Sequence, residues 1–231
     1  MSGVAGVLAY NWWALVPFVP GLMPSVNGFF SDLEASGRPH AALMSDADLM
    51  GGTLILVALL LRGSAAGTGA RPEWKWMVGF ALAGAVGGRY PYACAEGLSA
   101  SCRRLEWHLQ LPLHHYVHVL SGIAEFATVT VAVVLAMRRT RGDGTLEARI
   151  YSGLVKLLVI GYPLLGLVYL TDRLGTLIEP VFFLAFSLMV LTELFEPSAR
   201  PASGHPVGPD GSSDAQPSSM SPSAARRWHT A

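Results

Sequence analysis

The most chemically informative pattern in this sequence is a row of polar residues inside an otherwise apolar segment. His114, His118, Ser121 and Glu125 are spaced i, i+4, i+7 and i+11. On an α-helix, which turns by about 100° per residue, this spacing places all four within about 60° of one another on a single face. His115 lies beside the row. Ionisable side chains within an apolar helix are costly, so they are candidates for function.

Three interpretations of this row are open. Two histidines spaced i, i+4 can bind one metal ion from one helix face, which makes His114 and His118 candidate ligands of a divalent metal, although no cofactor is firmly implied. The same side chains can instead line a polar pocket for a small molecule or a lipid headgroup. The third interpretation is structural: the histidines lie at the level of the lipid headgroups and bond to loops or to each other.

Carboxylates from other segments could complete such a site. The candidates fall near the same end of the predicted helices: Asp32, Glu34, Asp46, Asp48, Asp172 and Glu179. Arg89 closes another apolar segment at that end and could pair with one of them. Asp46 and Asp48 also fit an ordinary helix N-terminus, where Ser45 or Asp46 is the cap and acidic side chains are favourable.

Six apolar segments must position these residues. They cover about residues 5–24, 43–61, 74–92, 113–137, 150–170 and 176–195. Each is close to the roughly 20 residues that an α-helix needs to cross a bilayer. Helices are expected because each segment must satisfy its own backbone hydrogen bonds in lipid. The fold class predicted is therefore an all-α, polytopic membrane bundle over residues 1–196, located in the cell membrane.

The composition agrees with a membrane protein and argues against several soluble classes. Of 231 residues, 52% are hydrophobic and only 14% are charged, and the mean hydropathy is +0.41. A soluble domain usually carries about 25% charged residues. The formal net charge is zero, so the expected partner is the lipid bilayer and not nucleic acid. The sequence also lacks the P-loop, HExxH, GxSxG and dinucleotide-binding motifs.

The basic residues predict the orientation of the six helices. With the N-terminus in the cytoplasm, eleven of the 16 Lys and Arg residues lie inside and five lie outside, which favours two cytoplasmic termini. The outer five are Arg38, Arg89, Arg103, Arg104 and Arg173. Cys94 and Cys102 then share an outer loop, where disulfides persist, so a bridge between them is expected. Free thiols or a weak metal pair are the alternatives.

The last part of the chain differs in composition. Residues 197–231 are rich in Pro, Ser, Gly and Ala. Such a segment cannot bury enough apolar surface to offset the entropy lost on ordering. We therefore expect a disordered cytoplasmic tail.

Three segments resemble a six-span membrane family of bacteria and archaea called domain of unknown function 998. They are FFSDLEASGRPHAALMSDADLMGG before the second apolar segment, YPYACAEGLSASCR after the third, and HHYVHVLSG at the start of the fourth. The resemblance covers about residues 5–195. It implies a six-helix fold and little about activity. The Frag1/DRAM/Sfk1 family, also six-span, has a somewhat similar Ser-Asp loop and would imply a role in membrane lipid organisation.

Three functional hypotheses follow from the sequence. The leading one is a transporter-like or accessory membrane protein that binds a small molecule or lipid headgroup in a polar pocket open to the outer side. The sequence leaves open whether it is an enzyme and leans towards a non-enzymatic role. The pocket candidates are His114, His115, His118, Ser121, Glu125, Asp46, Asp48, Asp32 and Arg89. The second is a membrane-embedded, metal-assisted lipid hydrolase. The third is a structural or partner-binding membrane subunit.

Overall fold

The structure, a computed structural model, describes residues 1–195 apart from 21, 23–26, 67–70 and 172, and apart from the side chains of 65 and 66. The predicted tail at 197–231 lies outside the described residues. Within the described part the chain is all-helical and contains no β-strand. The α-helices are α1 (Ser2–Tyr10), α2 (Ala41–Ala66), α3 (Trp74–Arg89), α4 (Ala100–Trp107), α5 (Leu113–Arg139), α6 (Leu146–Thr171) and α7 (Gly175–Phe195). Short 3-10 helices cover Trp12–Phe18, Ser31–Glu34 and Glu96–Leu98.

Four of the described helices are long and apolar enough to cross a membrane. They are α2 over Ala41–Ser64, α5, α6 and α7. These four correspond to the second, fourth, fifth and sixth predicted segments, and their ends agree with the prediction to within about five residues. The chain therefore has the helices of a membrane protein.

The first and third predicted segments form shorter helices than expected. The first is broken at Asn11, whose side chain donates to the carbonyl of Val7 at 2.8 Å and to Ser187 Oγ at 2.7 Å. Beyond Asn11 the chain continues as a 3-10 helix that contains Pro17, a residue without an N–H to donate. The third segment gives α3, which has 16 residues and ends at Arg89. At 1.5 Å per residue α3 is about 24 Å long.

The helices pack as a closed ring in the order α1, α2, α3, α5, α6, α7, with α7 returning to α1. The ring interior is apolar and rich in aromatic rings: Phe80, for example, packs edge-on against both Tyr10 and Phe186 at 5.8 Å. Cys94 and Cys102 lie between α3 and α5 at one end of the ring, where α2, α5 and α7 begin. We call this the disulfide end. The opposite end is the one at which α5 stops at Arg139.

Two glycines allow α2 and α3 to touch backbone to backbone. A Cβ atom placed on Gly52 would lie 2.4 Å from the amide nitrogen of Ala85. A Cβ on Gly88 would lie 2.2 Å from the amide nitrogen of Leu49. Small residues at helix crossings permit this kind of close approach in membrane proteins. The contact fixes the start of α2 against the end of α3, where several predicted site residues lie.

Candidate functional site

The loop before α2 folds down onto the disulfide end and is held there by acidic side chains. Asp32 and Glu34 are each only 2% exposed. The Asp32 carboxylate accepts hydrogen bonds from the amides of Phe29, at 2.9 Å, and Gly97, at 3.2 Å. Glu179, at the start of α7, accepts one from the amide of Phe30. Asp32 and Glu179, both singled out in the sequence, therefore anchor this loop through its backbone.

Two histidines, His118 of the predicted row and His115 beside it, bind the end of α3 and the segment that follows it. His118 Nδ1 lies 3.1 Å from the carbonyl oxygen of Gly87 and 2.9 Å from that of Tyr90. Because both partners are acceptors, Nδ1 must carry the proton. The ring thus bonds to the end of α3, where the Gly87 carbonyl also accepts a hydrogen bond from the amide of Tyr90 at 3.1 Å. Ser121, one turn further along α5, donates to the carbonyl of His118 at 2.7 Å.

His115 has a similar role beside it. Its Nδ1 accepts a hydrogen bond from the amide of Ala93 at 3.3 Å, and its Nε2 lies 3.6 Å from Glu106 Oε2. The ring of Tyr92 packs against His115 and His118, with centroid distances of 5.0 and 4.0 Å. His114 is half-buried on the neighbouring face of α5. These contacts correspond to the structural interpretation of the row, in which histidines bond to loops.

The geometry gives no support to a metal centre at His114 and His118. Among the described residues, no three His, Cys, Asp or Glu side chains are grouped as metal ligands would be. Asp172, which the sequence offered as a ligand, lies outside the described residues. The metal-assisted hydrolase has no assembled site in this part of the chain and stays a prediction from sequence.

A second set of carboxyl groups meets beneath the loop. Trp12 Nε1 donates to Asp48 Oδ1 at 2.7 Å, and Ser45 Oγ donates to Glu34 Oε2 at 3.3 Å. The carboxyls of Glu34 and Asp48 also hydrogen-bond to each other, which requires one of them to be protonated. Burial, and then the charge of Asp48, raises the pKa of Glu34 well above its ordinary value. Burial and the neighbouring carboxyl thus favour the protonated, hydrogen-bonding form of Glu34.

Glu125, the deepest residue of the row, lies further inside the bundle. Its Oε1 atom is buried, and a Cβ placed on Gly84 of α3 would lie 2.6 Å from it. The phenol of Tyr10 on α1 faces the same carboxyl. Glu125 thus points at α3 and α1, one layer away from the histidine contacts, and the structure does not join the row into a single pocket.

A cavity opens at the disulfide end, beside the histidines and not between them. It has a volume of about 590 Å³ and lies between the first loop, the start of α2 and the end of α3. Charged and polar groups of its lining are Glu34, Ser36, Arg38, Ser45, Asp46 and Arg89. Two of the predicted pocket residues, Asp46 and Arg89, therefore line it. Asp32, Asp48, His114, His115, His118, Ser121 and Glu125 are not among its lining residues.

The sequence pattern did not single out Arg38 as part of this site. Arg38 lies in the loop beyond Gly37, which has a positive φ of 83°, and it reaches the cavity because the loop folds onto α2 and α3. Arg38, Asp46 and Arg89 are exposed. Within the described part of the chain none of the three forms an ion pair. Arg89 instead lies over the ring of Tyr90, 5.7 Å from its centroid. The cavity rim thus carries two cations and one anion available to a ligand.

The loop between α3 and α5 forms a small, tightly bonded structure of its own. Cys94 and Cys102 are joined in a disulfide, in agreement with the pairing expected from the sequence. The Tyr169 hydroxyl lies 3.3 Å from Glu96 and 3.4 Å from Glu106. Burial, and then hydrogen bonding to Glu106, raises the pKa of Glu96 to about 9. The Tyr169 hydroxyl thus holds this loop against the end of α6.

Comparison with known proteins places the chain in a family. No characterised protein and no solved structure matches the sequence. A family model described as protein of unknown function (DUF998) matches residues 3–194. This range begins within α1 and ends within α7, so it spans the whole described bundle. The chain belongs to the DUF998 family of proteins of unknown function.

Proposed function

We propose that the chain crosses the cell membrane six times and has both termini in the cytoplasm. The four long helices account for four crossings. Two further crossings are supported by the positions of α1 and α3 in the ring, where α1 is extended by the 3-10 helix that follows it. The excess of Lys and Arg on one side and the disulfide on the other support the orientation. In this arrangement the disulfide end faces outward, and the 590 Å³ cavity opens to the outer membrane surface.

Cysteine labelling in intact cells tests this topology. Gln110, between α4 and α5, and Asp143, between α5 and α6, are both exposed and lie at opposite ends of the bundle. We expect a Gln110→Cys variant to react with a membrane-impermeant maleimide in intact cells. An Asp143→Cys variant should react only after the membrane is permeabilised. Reaction of both variants, or the reverse pattern, would show that the orientation is wrong.

We propose further that the protein binds a polar ligand, a lipid headgroup or a small molecule, in the outer cavity. The observation that carries this proposal is the rim, where Arg38 and Arg89 form no ion pair with any described residue. Guanidinium groups bind phosphate and carboxylate through paired hydrogen bonds. A phosphate-bearing headgroup meets this requirement at the level of the membrane where headgroups are found.

Lipid retention by the purified protein tests this proposal. In native mass spectrometry of the full chain with a mixture of phospholipids, we expect wild-type protein to retain lipid and Arg89→Gln to retain about tenfold less, since one charge-assisted hydrogen-bonding group is lost. Arg104→Gln is the matched control, because Arg104 is exposed on α4 and does not line the cavity. Equal retention by all three proteins would exclude the cavity as the binding site.

A further inference from the structure

The charges at the cavity rim indicate which kind of ligand the cavity would bind. Arg38 and Arg89 are cationic and Asp46 is an acidic group on the same rim. The fourth ionisable group of the lining, Glu34, is 2% exposed and already hydrogen-bonded to Ser45 and Asp48. A ligand therefore meets two guanidinium groups and one available carboxylate.

Asp46 and the two arginines do not neutralise one another. All three side chains line one cavity, yet none of them forms an ion pair within the described region. A ligand that carries an anionic and a cationic group can satisfy both kinds of charge at once. A purely anionic ligand would leave Asp46 facing an anion, which is unfavourable when the charges are brought together.

An apolar path leads away from Asp46 along α2. Leu43, Met50 and Val57 are spaced seven residues apart, and they are 67%, 52% and 41% exposed. Asp46 lies within about 60° of them on the helix surface, at about 100° per residue. In the proposed orientation this stripe runs from the outer surface toward the middle of the membrane. The rim is thus continuous with a surface for a hydrocarbon chain, which favours an amphiphile over a soluble ion.

Resting on the proposed function of the cavity, we propose that its ligand is a phospholipid whose headgroup carries a free ammonium group. Arg38 and Arg89 bind the phosphate, Asp46 accepts hydrogen bonds from the ammonium, and an acyl chain lies along Leu43, Met50 and Val57. A quaternary ammonium such as choline has no N–H to donate to Asp46. A glycerol headgroup has no positive charge for it.

The test compares three lipids with identical dioleoyl chains: phosphatidylethanolamine, phosphatidylglycerol and phosphatidylcholine. The purified full chain is incubated with an equimolar mixture, and the bound lipids are quantified by native mass spectrometry. We expect about a tenfold preference for phosphatidylethanolamine over each of the other two, as for one charge-assisted hydrogen bond. Asp46→Asn should abolish the preference. Asp143→Asn, an exposed carboxylate at the other end of the bundle, should keep it.

A soluble competitor distinguishes a lipid from a free metabolite of the same chemistry. O-phosphoethanolamine carries the same two charges without the acyl chains. If the apolar stripe contributes, a hundredfold excess of this compound should displace little of the bound phosphatidylethanolamine. Complete displacement would instead identify a soluble ligand and contradict the role of the stripe.

The remaining outcomes separate this inference from the proposed function. Equal binding of the three lipids, or an unchanged preference in Asp46→Asn, overturns the ammonium assignment even when Arg89→Gln still weakens binding. If Arg89→Gln does not weaken lipid binding, the cavity is not the binding site. Because Asp46 is exposed, Asp46→Asn is expected to fold like the wild type, and an unchanged melting temperature confirms that the comparison is valid.

Discussion

Replacing Gly88 with alanine is expected to destabilise the protein by about 2–3 kcal/mol, near the upper end of the range for overpacking. The added Cβ would lie 2.2 Å from the amide nitrogen of Leu49 and 2.7 Å from the carbonyl oxygen of Ser45. Both are backbone atoms of α2, so neither can move aside as a flexible side chain can. For a protein of this size the loss corresponds to roughly 5–10 °C in the midpoint of thermal unfolding.

Gly122→Ala is the matched control for this prediction. Gly122 also lies within a helix, but a Cβ placed on it has no neighbouring atom within 4 Å. Alanine there should leave the protein as stable as the wild type, or stabilise it by up to about 1 kcal/mol, because glycine is a poor helix former. If Gly88→Ala and Gly122→Ala had the same midpoint of thermal unfolding, the backbone contact between α2 and α3 would be wrong.

The long helices could be predicted from sequence because a long apolar segment in a membrane can form few structures other than an α-helix. In a run such as residues 113–137, most side chains are apolar, and an α-helix satisfies the backbone within the segment itself. The structure places this helix at Leu113–Arg139. Its start at Pro112 and its end at two arginines are both features of local sequence. For such segments the fold class and the approximate boundaries follow directly from composition.

The breaks and short helices could not be predicted in the same way. Asn11 is the one strongly polar residue of the segment 5–24, but a single polar residue does not by itself end an apolar helix. Asn11 is an end point because its side chain reaches Ser187 of α7, 176 positions away. The sequence prediction likewise omitted α4, an eight-residue helix in the disulfide loop, since its composition is polar and its stability depends on that loop.

The candidate site also depends on contacts between distant parts of the chain, which the sequence could not predict. The helical spacing placed His118 and Ser121 on one face of a helix, and both are buried in the structure. The spacing could not show that the partners of His118 are the backbone carbonyls of Gly87 and Tyr90. Every residue has a backbone carbonyl, so the residue types do not reveal which of them will accept a hydrogen bond. Arg38 was not predicted as a cavity residue for a related reason. Its place at the cavity follows from a loop that is held down by amide–carboxylate hydrogen bonds, which the sequence does not display.

The second large effect is expected at the other end of the bundle, where a buried carboxylate depends on one arginine. Glu73, which precedes α3, is fully buried, and its Oε1 lies 2.6 Å from Nε of Arg139. Arg139→Gln removes this charge partner and leaves a buried carboxyl group without it. Removing one partner of a buried ion pair costs about 3–5 kcal/mol. Because the Arg139 side chain is 27% exposed, we expect the lower part of this range, measured by thermal unfolding.

Two further variants separate the loss of this pair from a general loss of charge. Arg138→Gln removes the preceding arginine of α5, which is exposed, and should change stability by less than about 0.5 kcal/mol. The double variant Glu73→Gln/Arg139→Gln should recover part of the loss, since a neutral amide costs less to bury unpaired than a carboxylate does. A double variant less stable than Arg139→Gln alone would contradict this explanation, because it would mean that Glu73 stabilises the bundle without its arginine.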